Sequence, residues 1–261
     1  MMKNFTLFLL VCATIVLMGC SSTQRSISNS GPVLDSRYSS SGHGAETGSS
    51  FAYQGELREF DLLGVDRDRF VTDEEIYKTL SNATTVRLKE GQKIMLIQSG
   101  AVFPDSEMVA ELATHFRVVP FSGVPTGRMQ EAANESDQPA YARTFRLAAA
   151  QAGAEHIVCY WGALESMRTD MNTKTISWIP FAGWVIPDEN QAMRIQLKLA
   201  VIDVKTGSWT TVASRSVVDQ NSRSNRFNRD RADQEQVQEL KELAYADGAA
   251  KLIEQLSQPA L

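Results

Sequence analysis

Lys93-Ile94-Met95-Leu96-Ile97-Gln98-Ser99-Gly100 is the stretch from which the rest of the chain is read. A continuous apolar run of this length, stopped by Ser-Gly, fits a buried strand. Directly after it the spacing becomes helical. Pro104-Asp105 opens a helix with Asp105 as N-cap, and Met108, Val109, Leu112 and Phe116 fall on one face. Arg117-Val118-Val119-Pro120-Phe121 is the next strand candidate, and 122–138 is a polar loop. Pro139, Tyr141, Phe145 and Ala148-Ala149-Ala150 then make a second helix ending near Gly153. His156-Ile157-Val158-Cys159-Tyr160-Trp161 follows as a third strand.

Downstream, Met193–Val204 places Ile195, Leu197, Leu199 and Val201 on one side of a long strand. Lys205-Thr206-Gly207-Ser208 reads as a turn into Trp209–Val218, giving a late hairpin. From Ala232 to Leu256 a long helix carries Val237, Leu240, Leu243, Ala244, Ala249, Leu252, Ile253 and Leu256 as an apolar stripe. Asp233 and Gln236 are placed as its capping box. Helices between successive strands imply right-handed β-α-β units, and the hairpin adds an antiparallel portion. The fold class is therefore α/β, a single three-layer-like sandwich with a mixed sheet, a late β-hairpin and a long C-terminal helix.

Upstream of Lys93, Thr72-Asp73-Glu74-Glu75 has the form of a capping box, and Ile76, Tyr77 and Leu80 give a short helix one apolar face. Residues 21–50 are dominated by Ser and Gly, too poor in apolar area to offset their ordering entropy. That composition predicts a disordered tether with a reach of about 30 Å. The first twenty residues have a signal-peptide pattern, with Lys3 ahead of an apolar run from Phe5 to Met18 and Gly19 before the cut. The division of the chain is thus 1–19 signal peptide, 20–56 flexible tether and 57–261 α/β domain.

Leu17-Met18-Gly19-Cys20, closing such a leader, resembles the lipobox of bacterial lipoproteins. The resemblance implies that Cys20 carries a diacylglyceryl thioether and, after cleavage, an acyl group on its amine. The membrane partner is then reached through that lipid. Ser21, in place of the Asp that resembles an inner-membrane retention signal, points to a periplasm-facing location on the outer membrane. With Cys12 in the leader and Cys20 lipidated, Cys159 is the one remaining cysteine, and its alternating surroundings make it a buried apolar residue.

Net charge is −5, which argues against a general nucleic-acid binder. The chain has no His-Glu-x-x-His, no paired-cysteine motif, no Gly-x-Ser-x-Gly and no Walker loop. Its three histidines, His43, His115 and His156, are scattered. No cofactor, no metal and no enzymatic activity are expected.

The element order, with Gly153-Ala154-Glu155-His156-Ile157-Val158 before the hairpin and Val201-Ile202-Asp203-Val204-Lys205-Thr206-Gly207 at its bend, resembles a group of envelope domains. These are the curli-secretion lipoprotein, the penicillin-binding-protein activator lipoproteins and the amino-terminal domain of the Tol-system translocation protein. The resemblance covers Lys93 to Leu256 and implies envelope assembly through protein contacts. Ile176 to Pro187 is a departure from it.

Two stretches stand out, the first as a partner-contact candidate and the second as an anion-binding candidate. Trp178, Phe181 and Trp184 sit in a Pro- and Gly-broken apolar run that reads either as a buried strand and turn or as a contact loop. Arg223, Arg226 and Arg229 precede the last helix and read either as a solvated loop or as an anion-binding cluster at its N-terminus. The functional expectation is a non-catalytic envelope assembly or protein-binding module. A cell-envelope hydrolase and a homo-oligomeric lipoprotein pore or ring are the alternatives.

Overall fold

The computed structural model describes residues 21–30, 53–65, 69–125, 138–170, 189–219 and 229–257. In chain order these form β1 (Ser21–Ser26), a 3-10 turn (Ile27–Asn29), α1 (Glu59–Leu63), α2 (Asp73–Ser81) and β2 (Lys93–Gln98). Then come α3 (Ser106–Ala113), β3 (Arg117–Phe121), α4 (Gln138–Gln151), β4 (His156–Asp170), β5 (Glu189–Asp203), β6 (Trp209–Ala213), β7 (Val217–Asp219) and α5 (Arg229–Leu256).

The described strands make one mixed sheet of order β3-β2-β4-β5-β6. β2 runs parallel to β3 and to the first third of β4, from Ile94↔His156 to Gln98↔Tyr160. β4 and β5 form a long antiparallel ribbon, paired from His156↔Asp203 to Asp170↔Glu189. Where β2 ends, β1 takes over the free edge of β4, antiparallel, from Ser26↔Ala163 to Ser21↔Arg168. On the other edge, β6 pairs with the near half of β5 and β7 with Met193 to Ile195 of the far half.

Strand alternation divides the core into two layers. Ile94, Leu96, Val158, Tyr160, Leu197, Leu199 and Val201 meet Met108 and Leu112 of α3 and Leu240, Ala244 and Leu252 of α5. Their neighbours Met95, Ile97, Ile157, Cys159 and Ile202 point the other way, against Leu62 of α1 and Phe145 and Ala149 of α4. Helices cover both faces of the sheet, which is the expected three-layer α/β arrangement.

Four local expectations change. Residues 21–30, read from composition as tether, form β1 and the turn, because the far half of β4 offers an unpaired edge that Ser, Thr and Gln can join through backbone alone. The apolar anchor for this arm is Ile27, 1% exposed, seated over Gly162. A Cβ at Gly162 would lie 2.5–2.8 Å from three Ile27 side-chain carbons, so any other residue there would force Ile27 to shift. The strand expected over Trp209–Val218 is interrupted at 214–216, where Ser214 turns inward and its Oγ accepts from the Leu197 amide at 2.8 Å. Next, α5 starts at Arg229, so Asp233 and Gln236 are inside the helix; Gln236 caps nothing and donates instead to Asp219 at 3.2 Å. Finally, in the stripe of α5, Leu243 is exposed and Tyr245 takes a core position.

Candidate binding cleft

The carboxyl end of β2 is where a crevice forms in an open α/β sheet, because the chain leaves β2 toward β3 on one side while β4 lies on the other. Here the strand ends in Gln98, a buried polar residue after four fully buried apolar ones. The loop after β3 presses against this end: a Cβ on Gly123 would lie 1.9 Å from the Gln98 carbonyl oxygen, so that position must be glycine. The Gly100 amide donates to the Gly123 carbonyl at 2.9 Å and ties the two loops together.

Around Gln98 the side chains form a connected network. Tyr160 of β4 donates its hydroxyl to Gln98 Oε1 at 2.6 Å, and the Asp105 amide donates to the same oxygen at 2.7 Å. Gln98 Nε2 donates to Ser28 Oγ at 3.1 Å, and Ser28 in turn donates to the Ser99 carbonyl at 2.6 Å. Asp105 is the N-cap residue of α3, yet its carboxylate makes no cap hydrogen bond. It faces α5 instead, pairing with Lys241 Nζ at 2.9 Å and accepting the Tyr245 hydroxyl. The Tyr160 and Tyr245 rings meet edge to face with centroids 5.8 Å apart.

Burial, with the nearby Asp105 charge adding to it, pushes the Tyr160 hydroxyl well above its ordinary range. Burial also raises Tyr245, followed by its tyrosine neighbour and Asp105. Both phenols are therefore neutral hydrogen-bond donors at physiological pH. Above this floor lies an open cleft of about 360 Å³ lined by Ile27, Ser28, Gln98, Asp105, Val237 and Lys241 among others. Amides, hydroxyls and one ion pair hold each other at this floor and present hydrogen-bonding groups to the cleft. Ile27 and Ser28, which reach the cleft from the N-terminal side, belong to the arm read as tether.

A second surface is built by α2. The Glu75 amide donates to Thr72 Oγ1 at 3.3 Å, as the capping box predicts, and Glu75 also pairs with Arg69. None of the α2 residues is buried. Its apolar side carries Ile76, Tyr77 and Leu80, which are 54%, 71% and 70% exposed, and Phe70 just before it is 87% exposed. A groove between α2 and the β5–β6 turn is lined by Lys78, Asn82, Thr206 and Trp209, with others.

His156 opens β4, four residues before Tyr160, and pairs with Ile94 at the start of β2, the end of that strand away from the cleft. Its Nε2 is 3.7 Å from Asp203 Oδ2, while Nδ1 is buried without a partner. Burial lowers the imidazole, with Asp203 and Glu155 acting in the other direction. Asp203 is itself pushed up by burial, but hydrogen bonds from the Thr206 amide and hydroxyl and the neighbouring His156 outweigh this and leave it low. Cys159 is fully buried and burial raises its thiol far above the usual range. Among the described residues, no three His, Cys, Asp or Glu side chains converge as metal ligands.

Cys20, Trp178, Phe181, Trp184, Arg223 and Arg226 lie outside the described residues. Arg229 is the first residue of α5. The sequence does not reveal the cleft, because each member has a local explanation of its own: Gln98 as a strand terminus, Asp105 as a cap and Tyr160 as a strand residue. The available signal was a lone glutamine closing an apolar run.

No curated protein matches the chain. Among solved structures it is similar to two dodecamers of PelC from Paraburkholderia phytofirmans, one of them a point-substituted form. The substituted form is 13% identical with a TM-score of 0.25, over 63% of this chain and 95% of that one. The other is 14% identical with a TM-score of 0.25, over 63% of this chain and 94% of that one. A family model described as YafT bacterial lipoprotein matches residues 58–255, from the approach to α1 through nearly all of α5. The chain belongs to the YafT bacterial lipoprotein family, and so to the membrane-anchored lipoproteins of the bacterial envelope.

Proposed function

We propose that this lipoprotein is tri-acylated at Cys20, faces the periplasm from the outer membrane, and serves as a non-catalytic protein-binding module in envelope assembly. The observation that carries the protein-binding reading is α2, an amphipathic helix whose apolar residues are all exposed. A helix of this kind is suited to lie in an apolar groove of another protein. Asp73, Glu74 and Glu75 crowd its first turn, so the groove that fits it has a basic edge. The cleft supports the same reading, since its ion pair and hydroxyls are engaged with one another and its tyrosines are held neutral. Trp178, Phe181 and Trp184 are proposed as a further contact, in the chain between β4 and β5.

The test uses in-cell crosslinking of the parent and of Ile76→Asp/Leu80→Asp. Both positions are exposed, so the variant should melt within a degree or two of the parent while losing its crosslinked partner. A variant that keeps the partner overturns the role of α2. In parallel, Cys20→Ser should move the chain from the membrane fraction to the soluble fraction, since stable anchoring requires two or more acyl chains.

A further inference from the structure

We infer that the far end of the β4–β5 ribbon is the face this protein turns toward the bilayer, with no flexible spacer between lipid and fold. The inference rests on the lipid at Cys20 proposed above and adds the geometry of the mount. β1 begins at Ser21, the residue bonded to Cys20, and Ser21 pairs with Arg168, two residues before β4 ends at Asp170. One residue of extended chain spans at most about 3.6 Å. The acylated residue is therefore confined to the immediate neighbourhood of the ribbon end.

The arm is held along its length. Six residue pairs join it to β4, and Thr23 Oγ1 and Ser166 Oγ lie 2.7 Å apart across the pairing. Ser26 donates to Glu56 at 2.6 Å, Ile27 fills the space over Gly162, and Ser28 is bound to both Gln98 and Ser99. A segment fastened in this way gives no reach of the kind a free Ser/Gly chain provides. Acyl chains sink into hydrocarbon and leave the cysteine at the interface. The ribbon end is thereby drawn to the headgroups.

The rest of the molecule acquires a direction from this. Along β5, Asn190 at the ribbon end and Asp203 at the other are thirteen residues apart, roughly 40 Å of strand. The turn after Asp203 carries Ser208, whose hydroxyl is 2.6 Å from that of Thr84, and it forms one wall of the groove beside α2. The exposed helix is thus at the end away from the bilayer, where a periplasmic protein can reach it.

The experiment uses the full-length lipidated chain, purified in detergent and reconstituted into phosphatidylethanolamine/phosphatidylglycerol vesicles carrying a headgroup-linked quencher. A fluorophore is placed on a single cysteine, Asn190→Cys or Thr206→Cys, with Cys159→Ala removing the native thiol. Position 190 is distant from Cys20 in sequence and adjacent to it only through the β1 register. Quenching at 190 should exceed that at 206 at least threefold. Insertion of a twelve-residue Gly/Ser spacer between Ser21 and Ser22 should bring the two close together. Equal quenching in the parent, or a difference that survives the spacer, overturns the short mount. Mass measurement of the N-terminal peptide and co-sedimentation with vesicles keep the two readings apart. An unacylated, unbound parent defeats the lipid reading, whereas an acylated, bound parent without the 190/206 difference defeats this inference alone.

Discussion

Replacing Gly162 with Ala tests whether the amino-terminal arm is truly part of the fold. An alanine Cβ at this position would sit 2.5, 2.7 and 2.8 Å from Cδ1, Cγ2 and Cγ1 of Ile27, where carbon atoms prefer about 3.5–4.0 Å. Relief requires either a shift of the Ile27 side chain by about 1 Å or release of the arm. Overpacking of this kind costs about 1–3 kcal/mol. Release forfeits the burial of Ile27, worth about 1.5–3 kcal/mol, and the arm leaves when that becomes the cheaper course. Against this stands a gain of about 0.5–1 kcal/mol, because alanine loses less backbone freedom than glycine in a strand. The net expectation is a loss of about 1–2 kcal/mol.

The sign depends on Ile27, which allows a sharper measurement. In an Ile27→Ala background all three clashing carbons are gone, so Gly162→Ala should become neutral or stabilising by about 0.5–1 kcal/mol. Urea unfolding of the four chains, with limited proteolysis to follow cleavage between 21 and 30, reads both effects. An equal cost of Gly162→Ala in both backgrounds, with the arm equally protected, would refute the docking of Ile27 over Gly162.

Three further outcomes are expected. Lys241→Met leaves the Asp105 carboxylate with the Tyr245 hydroxyl alone in a mostly buried setting, and urea unfolding should show a loss of about 1–3 kcal/mol; unchanged stability would mean that the pair contributes nothing to the fold. His156 has a folded-state pKa below its unfolded value near 6.5, so the unfolded chain binds more protons just below that pH. Its contribution is complete above pH of about 6.5 and is lost as pH falls toward the folded value, so His156→Gln should flatten the stability–pH curve in that window and leave the Asp203-linked loss below pH of about 4. Cys159 should resist iodoacetamide in the native chain and react rapidly in urea, since its thiol is buried and raised; prompt native alkylation would contradict the buried position.

What could be read from the sequence is whatever is encoded within one element. The Lys93–Gln98 run, the helical spacing from Met108 to Phe116 and the Lys205–Ser208 turn each carry their own signal, and each element stands close to where that signal puts it. The misreadings share a different cause, because they concern pairings between residues far apart in the chain. Ser21–Ser26 has no apolar pattern of its own; it becomes a strand because β4 runs eight residues past its pairing with Gln98 to Arg168 and leaves an edge uncovered. Gly162 looks like a weak point in a strand until Ile27, 135 residues earlier, is set over it. Asp105 fits the rule for a helix cap, but Lys241 and Tyr245 arrive from α5 and take its carboxylate, a stronger charge-assisted arrangement than the cap alone.

The same distinction bears on α2, where local pattern and tertiary outcome part company. Ile76, Tyr77 and Leu80 have the spacing of a core-facing stripe, and the Thr72 cap forms as that spacing implies. The helix is present, yet the surface it was patterned to bury stays in solvent. Three apolar side chains each more than half exposed on one short helix carry a standing hydration cost that burial against another surface would remove. The described sheet faces are covered by α1, α3, α4 and α5, and α2 contributes to neither core cluster. Its amphipathic pattern goes unused within the described fold, and that is the local sequence signal on which the proposed partner contact rests.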